Sequence, residues 1–350
     1  MKNLVSRNIQ SVLITGVSGS AGSYLAEYIV HNHPSVKLFG TSRWHSTTTT
    51  SNLSEISDSI SMYECDLSDM GSIIRVLATV QPDVIFHLAS YANVRTSFDT
   101  PVSVVENNIM GTINLLEAVR LSKVDPIIQI SSTSEVYGQV DQKHIPIDED
   151  APLLPASPYA VSKVCQDLLA RSYFVSYGMR IIRTRMFAYL NPRRTDLFAT
   201  SFARQVARVE IGLQEQIEHG NLDSVRTLLD VRDAVRAYWK AVQYCTFGET
   251  YNVGSTKTNT VGQVLEQLIE ISGKKIKTRL DEKLLRPADV TLQVPNVEKF
   301  VTVTGWQPKY NLDNSLRVLL EFARKEVKRE LAVGTIDIST SLSSMNKIAP

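Results

Sequence analysis

A short apolar run, Ser11-Val12-Leu13-Ile14-Thr15, passes without a break into Gly16-Val17-Ser18-Gly19-Ser20-Ala21-Gly22 and then into a helical stretch, Tyr24 to Val30. A buried strand that ends in glycines three apart and at once opens a helix requires a tight βα turn. Glycines at such a turn let the backbone approach a pyrophosphate at the helix N-terminus, where unpaired N–H groups and the helix dipole favour an anion. Gly16, Ser18, Gly19, Ala21 and Gly22 are therefore the candidate cofactor-binding residues of the turn.

The rest of the first half repeats the unit. Val36–Gly40, Ser61–Cys65, Asp83–Leu88 and Pro126–Ile130 read as further strands, with helical stretches such as Gly111–Leu121 between them. Alternating strands and helices imply parallel crossovers and helices on both faces of one sheet, the doubly wound, Rossmann-type α/β class. After about Arg180 the rhythm changes. Arg180–Thr184 is one more strand, a Pro/Arg-rich loop follows, and helices are expected at Leu197–Ile211, Val235–Gln243 and Thr260–Ile271. The expected division is a dinucleotide-binding domain over residues 1–185, rejoined by 228–257. Residues 186–227 and 258–332 form a smaller substrate-binding part, and the Ser/Thr-rich 333–350 a loosely held tail.

With 37 basic against 36 acidic residues, a net charge of +1 excludes a global field for nucleic acid or anionic membrane, so any bound anion needs locally placed arginines. No apolar run approaches the roughly 18 residues of a membrane helix, and no secretory leader is expected before the first strand. Cys65, Cys165 and Cys245 are scattered without metal-ligand spacing, as expected of reduced thiols in a cytoplasmic protein. No metal site is expected.

Two further features carry chemistry. The second strand ends in Ser42-Arg43, and no acidic residue lies between Glu27 and Glu55. An acid there would hold a ribose 2′-hydroxyl, whereas the Arg43 guanidinium suits a 2′-phosphate, which points to NADP. Downstream, Ser157-Pro158-Tyr159-Ala160-Val161-Ser162-Lys163 places Tyr159 and Lys163 four apart on one helix face. An ammonium beside a phenol favours the phenolate, so Tyr159 can exchange a proton with a substrate hydroxyl near neutral pH.

The G-x-x-G-x-x-G turn and the Tyr-x-x-x-Lys pair together resemble the extended short-chain dehydrogenase/reductase family. Across nearly the whole chain the resemblance is to its GDP-mannose 4,6-dehydratase and GDP-4-keto-6-deoxymannose reductase branches. Ser132-Thr133-Ser134-Glu135 and Asn191-Pro192-Arg193-Arg194 are similar to the first branch. Phe202-Ala203-Arg204-Gln205 and Asp230-Val231-Arg232-Asp233 are similar to the second, and Arg286-Pro287-Ala288-Asp289-Val290 to both. The resemblance implies a nucleotide-sugar substrate, a GDP-sugar above others, and a homodimer or homotetramer built on helices near 108–121 and 159–177. It implies that Asp66 and Leu67 flank the adenine, that Leu88 and Ala89 line the dinucleotide path, and that Thr133 supports the substrate oxygen. Glu135 then stands where sugar-nucleotide dehydratases carry the acid that takes the C5 proton. Arg193, Arg226 and Arg286 become substrate-binding residues, with Arg226 and Arg286 clamping the diphosphate. Phe187-Ala188-Tyr189 replaces the usual Phe-Asn-His, and Ala92 replaces a usual serine, so the identity of the sugar stays open.

Overall fold

Every side chain of β1 (Ser11–Thr15) after the first is buried, as a central parallel strand covered on both faces requires. The computed structural model describes residues 6–43, 51–285 and 291–332. After β1 come α1 (Ser20–Asn32), β2 (Lys37–Ser42), β3 (Ser61–Glu64), α2 (Met70–Val80), β4 (Val84–His87), α3 (Thr96–Asp99) and α4 (Pro101–Ser122). β5 (Ile127–Thr133), α5 (Pro158–Tyr177) and β6 (Ile181–Met186) follow, then β7 (Tyr189–Leu190), α6 (Phe198–Glu210), β8 (Gln216–His219), β9 (Val225–Thr227) and β10 (Leu229–Asp230). The remainder is α7 (Val231–Tyr244), β11 (Thr250–Val253), β12 (Thr258–Thr260), α8 (Val261–Ser272), β13 (Lys277–Leu280), β14 (Leu292–Gln293), α9 (Glu298–Thr304) and α10 (Leu312–Ala332).

Seven strands make one parallel sheet in the order β11-β6-β5-β4-β1-β2-β3. The order reverses between β1 and β4, the place where doubly wound sheets open a crevice at the C-terminal ends of their strands. Two apolar clusters cover the two faces. One joins β1, β4 and β6 to α1 and α7 through residues such as Leu25, Phe86 and Trp239. The other joins β1, β4 and β5 to α2, α4 and α5 through Leu77, Leu115 and Ile128.

Shorter sheets stand beside this one. β10 pairs with β7, β13 with β8, and β9 lies between β12 and β14. A separate core of α6, α8 and α10, with Phe202, Leu265 and Leu319 at its centre, supports them. The helix expected near Gly111 begins ten residues earlier, at Pro101, whose fixed φ suits a first helical position. Residues 333–350, expected as a tail, and Arg286 lie outside the described residues. Among the described residues no helix is long and apolar enough to cross a membrane.

Candidate active site

The glycine turn is closed by sterics. Gly16 has φ +69°, a conformation that side chains disfavour, and a Cβ there would meet the Ala89 Cα at 2.8 Å. A Cβ on Gly22 would run into the Gly16 carbonyl oxygen. Gly19 N–H donates to Gly16 O at 3.0 Å, and Gly19 caps α1 with no side-chain hydrogen bond. The first amides of α1 are thus left to a ligand, and no acid stands in its first turn to repel an anion. This cradle fits a dinucleotide pyrophosphate.

A cavity of about 1700 Å³ extends from this turn. Gly16, Ser18, Gly19, Ala21 and Gly22 line one end of it, with Arg43, Asp66, Leu67, Leu88 and Ala89. Arg43, at the end of β2, donates to Tyr91 Oη at 3.3 and 3.4 Å and stands 5.4 Å from that ring's centroid. Ala89 N–H donates to Thr15 Oγ1 at 3.2 Å, tying the ends of β1 and β4 together.

In the middle of the cavity Thr133, Glu135, Tyr159 and Lys163 come together. Thr133 ends β5, and its Oγ1 accepts from Glu135 N–H at 3.3 Å, opening a single 3₁₀ turn over Ser134–Tyr137. Ser157 Oγ caps α5 by accepting from Ala160 N–H at 3.1 Å, and Pro158 follows in the first turn. This start places Tyr159 and Lys163 on the inner face of α5. Lys163 Nζ donates to Ser131 O at 3.0 Å and lies 5.9 Å from the Tyr159 ring centroid. Burial pushes the Tyr159 phenol up, opposed by Arg194 and by hydrogen bonding from Thr133. Burial, reinforced by Arg194, pulls the Lys163 ammonium down to about 7. Both groups therefore tend toward their neutral forms, and the fixed cation acting on the phenol is Arg194.

The two adjacent arginines of this loop part company in the structure. Arg193 does not line the cavity; it pairs with Glu27 at 2.5 Å, donates to Ser23 Oγ at 2.9 Å and covers the Tyr24 ring at 4.2 Å. Those contacts hold its guanidinium against α1, so the loop offers Arg194 to the cavity instead. Arg194 donates to Ala92 O at 2.5 Å and to the Asp196 oxygens at 2.9 and 3.0 Å. Burial works against its charge, but the Asp196 bonds hold its pKa above the ordinary value. Arg226, on β9, is nearly buried, donates to Val225 O at 3.0 Å and lines the far end. Ala92 and Ala188, where hydroxyl and amide groups were expected by resemblance, both face the cavity.

Sequence reasoning did not single out the polar groups behind α5. His87, at the end of β4, is bonded through Nδ1 to Thr15 Oγ1 at 3.0 Å and through Nε2 to Thr112 Oγ1 at 2.9 Å. Burial and the nearby Lys163 hold its pKa down to about 3, so it is neutral. Gln166 Nε2 donates to Thr112 Oγ1 at 2.5 Å and to Asn108 O at 3.0 Å. Asn108 Nδ2 donates to Ser162 Oγ at 2.9 Å, and Ser162 Oγ to Tyr159 O at 2.7 Å. The signal was present in Asn108 and Gln166, polar residues at inward helix positions. The cavity wall also includes Tyr189 and Tyr238; the Tyr238 hydroxyl lies 2.8 Å from Ser131 Oγ. Among the described residues no cluster of three His, Cys, Asp or Glu could hold a metal ion.

Residues 13–319 match the family profile described as GDP-mannose 4,6 dehydratase. The chain is 33% identical to GDP-mannose 4,6-dehydratase of Vibrio cholerae serotype O1, over 91% of this chain and 89% of that protein. It is 28% identical to GDP-6-deoxy-D-mannose reductase of Pseudomonas aeruginosa, over 92% of this chain and 99% of the other. Among solved structures it is similar to RMD from Pseudomonas aeruginosa complexed with NADPH. That match has a TM-score of 0.77 and 27% identity, and covers 91% of this chain and 98% of the other.

Proposed function

Because the chain belongs to the GDP-mannose 4,6-dehydratase family, we propose that it converts GDP-mannose, or a close GDP-sugar, to the 4-keto-6-deoxy sugar with NADP as cofactor. The observation that carries this reading is the meeting of Glu135 with Thr133, Tyr159 and Lys163 in one cavity that runs from the glycine turn to Arg226. The glycine turn and α1 amides would hold the pyrophosphate, and Arg43 the 2′-phosphate. Once bound, the dinucleotide supplies reversible hydride transfer to and from the sugar.

The remaining work belongs to side chains of this chain. Thr133 orients the C4 oxygen, and Tyr159, ionised to the phenolate under the charge of Arg194, takes its proton as C4 reaches the ketone level. A C4 ketone acidifies the C5–H bond. Glu135 removes that proton and returns it to the departing C6 hydroxyl, which leaves as water; when hydride comes back to C6, a proton taken up at C5 matches the one Tyr159 received from the C4 hydroxyl. Arg226, with Arg286, would hold the diphosphate by guanidinium forks, and Arg194 would keep a positive charge beside the phenol. The overall change is loss of water with no net redox.

The same reading assigns residues 1–185 and 228–257 to the dinucleotide, and 186–227 and 258–332 to the sugar nucleotide. Exposed Met110, Leu121, Val161, Leu168 and Val175 on the neighbouring helices α4 and α5 support association into at least a dimer, which mass by light scattering checks. The free cysteines suit a cytoplasmic enzyme.

Substoichiometric NADP⁺ with GDP-mannose tests the reaction, and Glu135→Gln tests its centre. Wild type should complete many turnovers. Glu135→Gln should lose about 10²- to 10⁴-fold in turnover, the range of a general base, while reduced-dinucleotide absorbance appears and persists. Tyr159→Phe should stop the reaction before that absorbance. The similarity to the Pseudomonas reductase favours a second reading, reduction of the 4-keto sugar, which needs no base at Glu135. Near-wild-type turnover of Glu135→Gln, or activity on the keto sugar with NADPH alone, would put that reading first.

A further inference from the structure

Gln293 has no part in the chemistry assigned above, yet it touches the turn that presents Glu135. It is the second residue of β14, and in the parallel pairing with β9 it stands opposite Arg226. Gln293 and Ser134 are each 3% exposed. Ser134 Oγ donates to Gln293 Oε1 at 2.9 Å, and Gln293 Nε2 donates back to Ser134 O at 3.1 Å. One carboxamide thus satisfies both the hydroxyl and the carbonyl of the residue between Thr133 and Glu135.

The next residues fix Gln293 in turn. Ile147 N–H donates to Val294 O at 2.8 Å, and Asn296 N–H to Ile147 O at 2.7 Å. A buried carboxamide costs free energy unless both its ends are bonded, and an aliphatic side chain would fill the same space without that demand. A lone 3₁₀ turn has few bonds of its own, and here its opening bond is a long one, Glu135 N–H to Thr133 Oγ1 at 3.3 Å. The direction of Glu135 therefore depends on what holds Ser134.

The geometry points to Gln293 as a positioning residue that registers the Glu135 turn against the strand pair carrying Arg226. The groups at the sugar and at the diphosphate are then tied to one strand pair. This rests on the reading of Glu135 as the C5 base. Gln293 acts through Ser134 and touches no reacting atom.

The test compares the full-length wild type with Gln293→Leu, Ser134→Ala and the double variant, using GDP-mannose and NADP⁺. A displacement of about 1 Å can cost roughly 10²-fold in rate. Gln293→Leu should lose kcat on that scale, with KM for GDP-mannose and cofactor affinity within about threefold of wild type, while reduced-dinucleotide absorbance persists. Ser134→Ala keeps the carbonyl acceptor and should lose less, and the double variant should be no worse than Gln293→Leu. If Gln293→Leu does not fold, Gln293→Glu serves: it retains an acceptor for Ser134 Oγ, removes the donor to Ser134 O, and should lower kcat with KM unchanged. A kcat within about threefold of wild type in the folded variant, or parallel losses in kcat, KM and cofactor affinity, would overturn the inference. An active wild type with an unaffected Gln293 variant sinks this inference alone. A wild type that forms no keto sugar sinks it together with the reaction proposed above.

Discussion

The seven-stranded sheet and the small sheets beside it hold their functional groups by different means. In the sheet, strands of four to seven residues lie between helical layers, the exposed edge strand β3 excepted, and Thr133 and the glycine turn sit at the ends of long backbone ladders. In the smaller region β7, β10 and β14 have two residues each, so backbone pairing alone fixes little. Side-chain pairs do the fixing there. Ser315 Oγ reaches Asp230 Oδ2 at 2.6 Å, Arg193 reaches Glu27, and Gln293 reaches Ser134. One substitution should therefore damage global stability in the first region and local geometry in the second.

The largest effect should come from Asp167, fully buried on α5 between Arg183 at 2.7 Å and Arg185 at 3.0 Å on β6. Asp167→Asn leaves two buried guanidiniums short of a counter-charge and should lower unfolding free energy by about 3 to 5 kcal/mol in urea titration. A loss below about 1 kcal/mol would mean the helix is held by apolar packing alone. Burial pushes the Asp167 carboxyl up, but Arg185 and Arg183 outweigh it and its pKa falls below 3.8. Its stabilisation is therefore complete above about pH 4 and is lost as the pH drops further.

A smaller effect is expected at the rim. If Arg43 holds the 2′-phosphate as proposed, Arg43→Asp puts a like charge there, and NADP(H) affinity should fall about 10- to 100-fold, the worth of one charge-assisted hydrogen bond. NAD(H) affinity should change little, and equal wild-type affinity for both cofactors would break the assignment. The smallest should be Arg193→Met. Its pair with Glu27 is partly exposed, with side chains at 15% and 18%, so a loss of about 1 kcal/mol or less is expected in thermal unfolding, with kcat/KM nearly unchanged. A tenfold loss of kcat/KM would place Arg193 on the substrate and erase the distinction drawn between it and Arg194.

What the sequence disclosed follows the same division. The glycine turn was legible because a Cβ at Gly16 or Gly22 has nowhere to go, and Tyr159 with Lys163 because a spacing of four fixes a helix face. Arg193 and Arg194 could not be told apart, since adjacent loop residues carry no periodicity to say which faces a cavity. The early turns of α4 were missed because they bury only Val104 and Asn108, too few apolar positions to show a helical period. α10 was legible and passed over: Leu316, Leu319, Leu320, Ala323 and Val327 repeat every three or four residues. Gln293 gave no local signal, because its partner lies 159 residues away in the chain.

The neutral His87 has one more consequence. Helices packed only by aliphatic side chains can slide along one another at modest cost, whereas a hydrogen bond fails within an ångström or so. From the end of β1 a run of such bonds passes through Thr15, His87, Thr112 and Gln166 to α5. Because His87 does not take up a proton near neutrality, that run keeps its donors and acceptors unchanged across the pH range in which enzymes work. The phenol of Tyr159 is thereby indexed to the same strand end that launches the glycine turn, like two scales sharing one zero. The phenol and the glycine turn cannot drift apart unless the bonds between them break first.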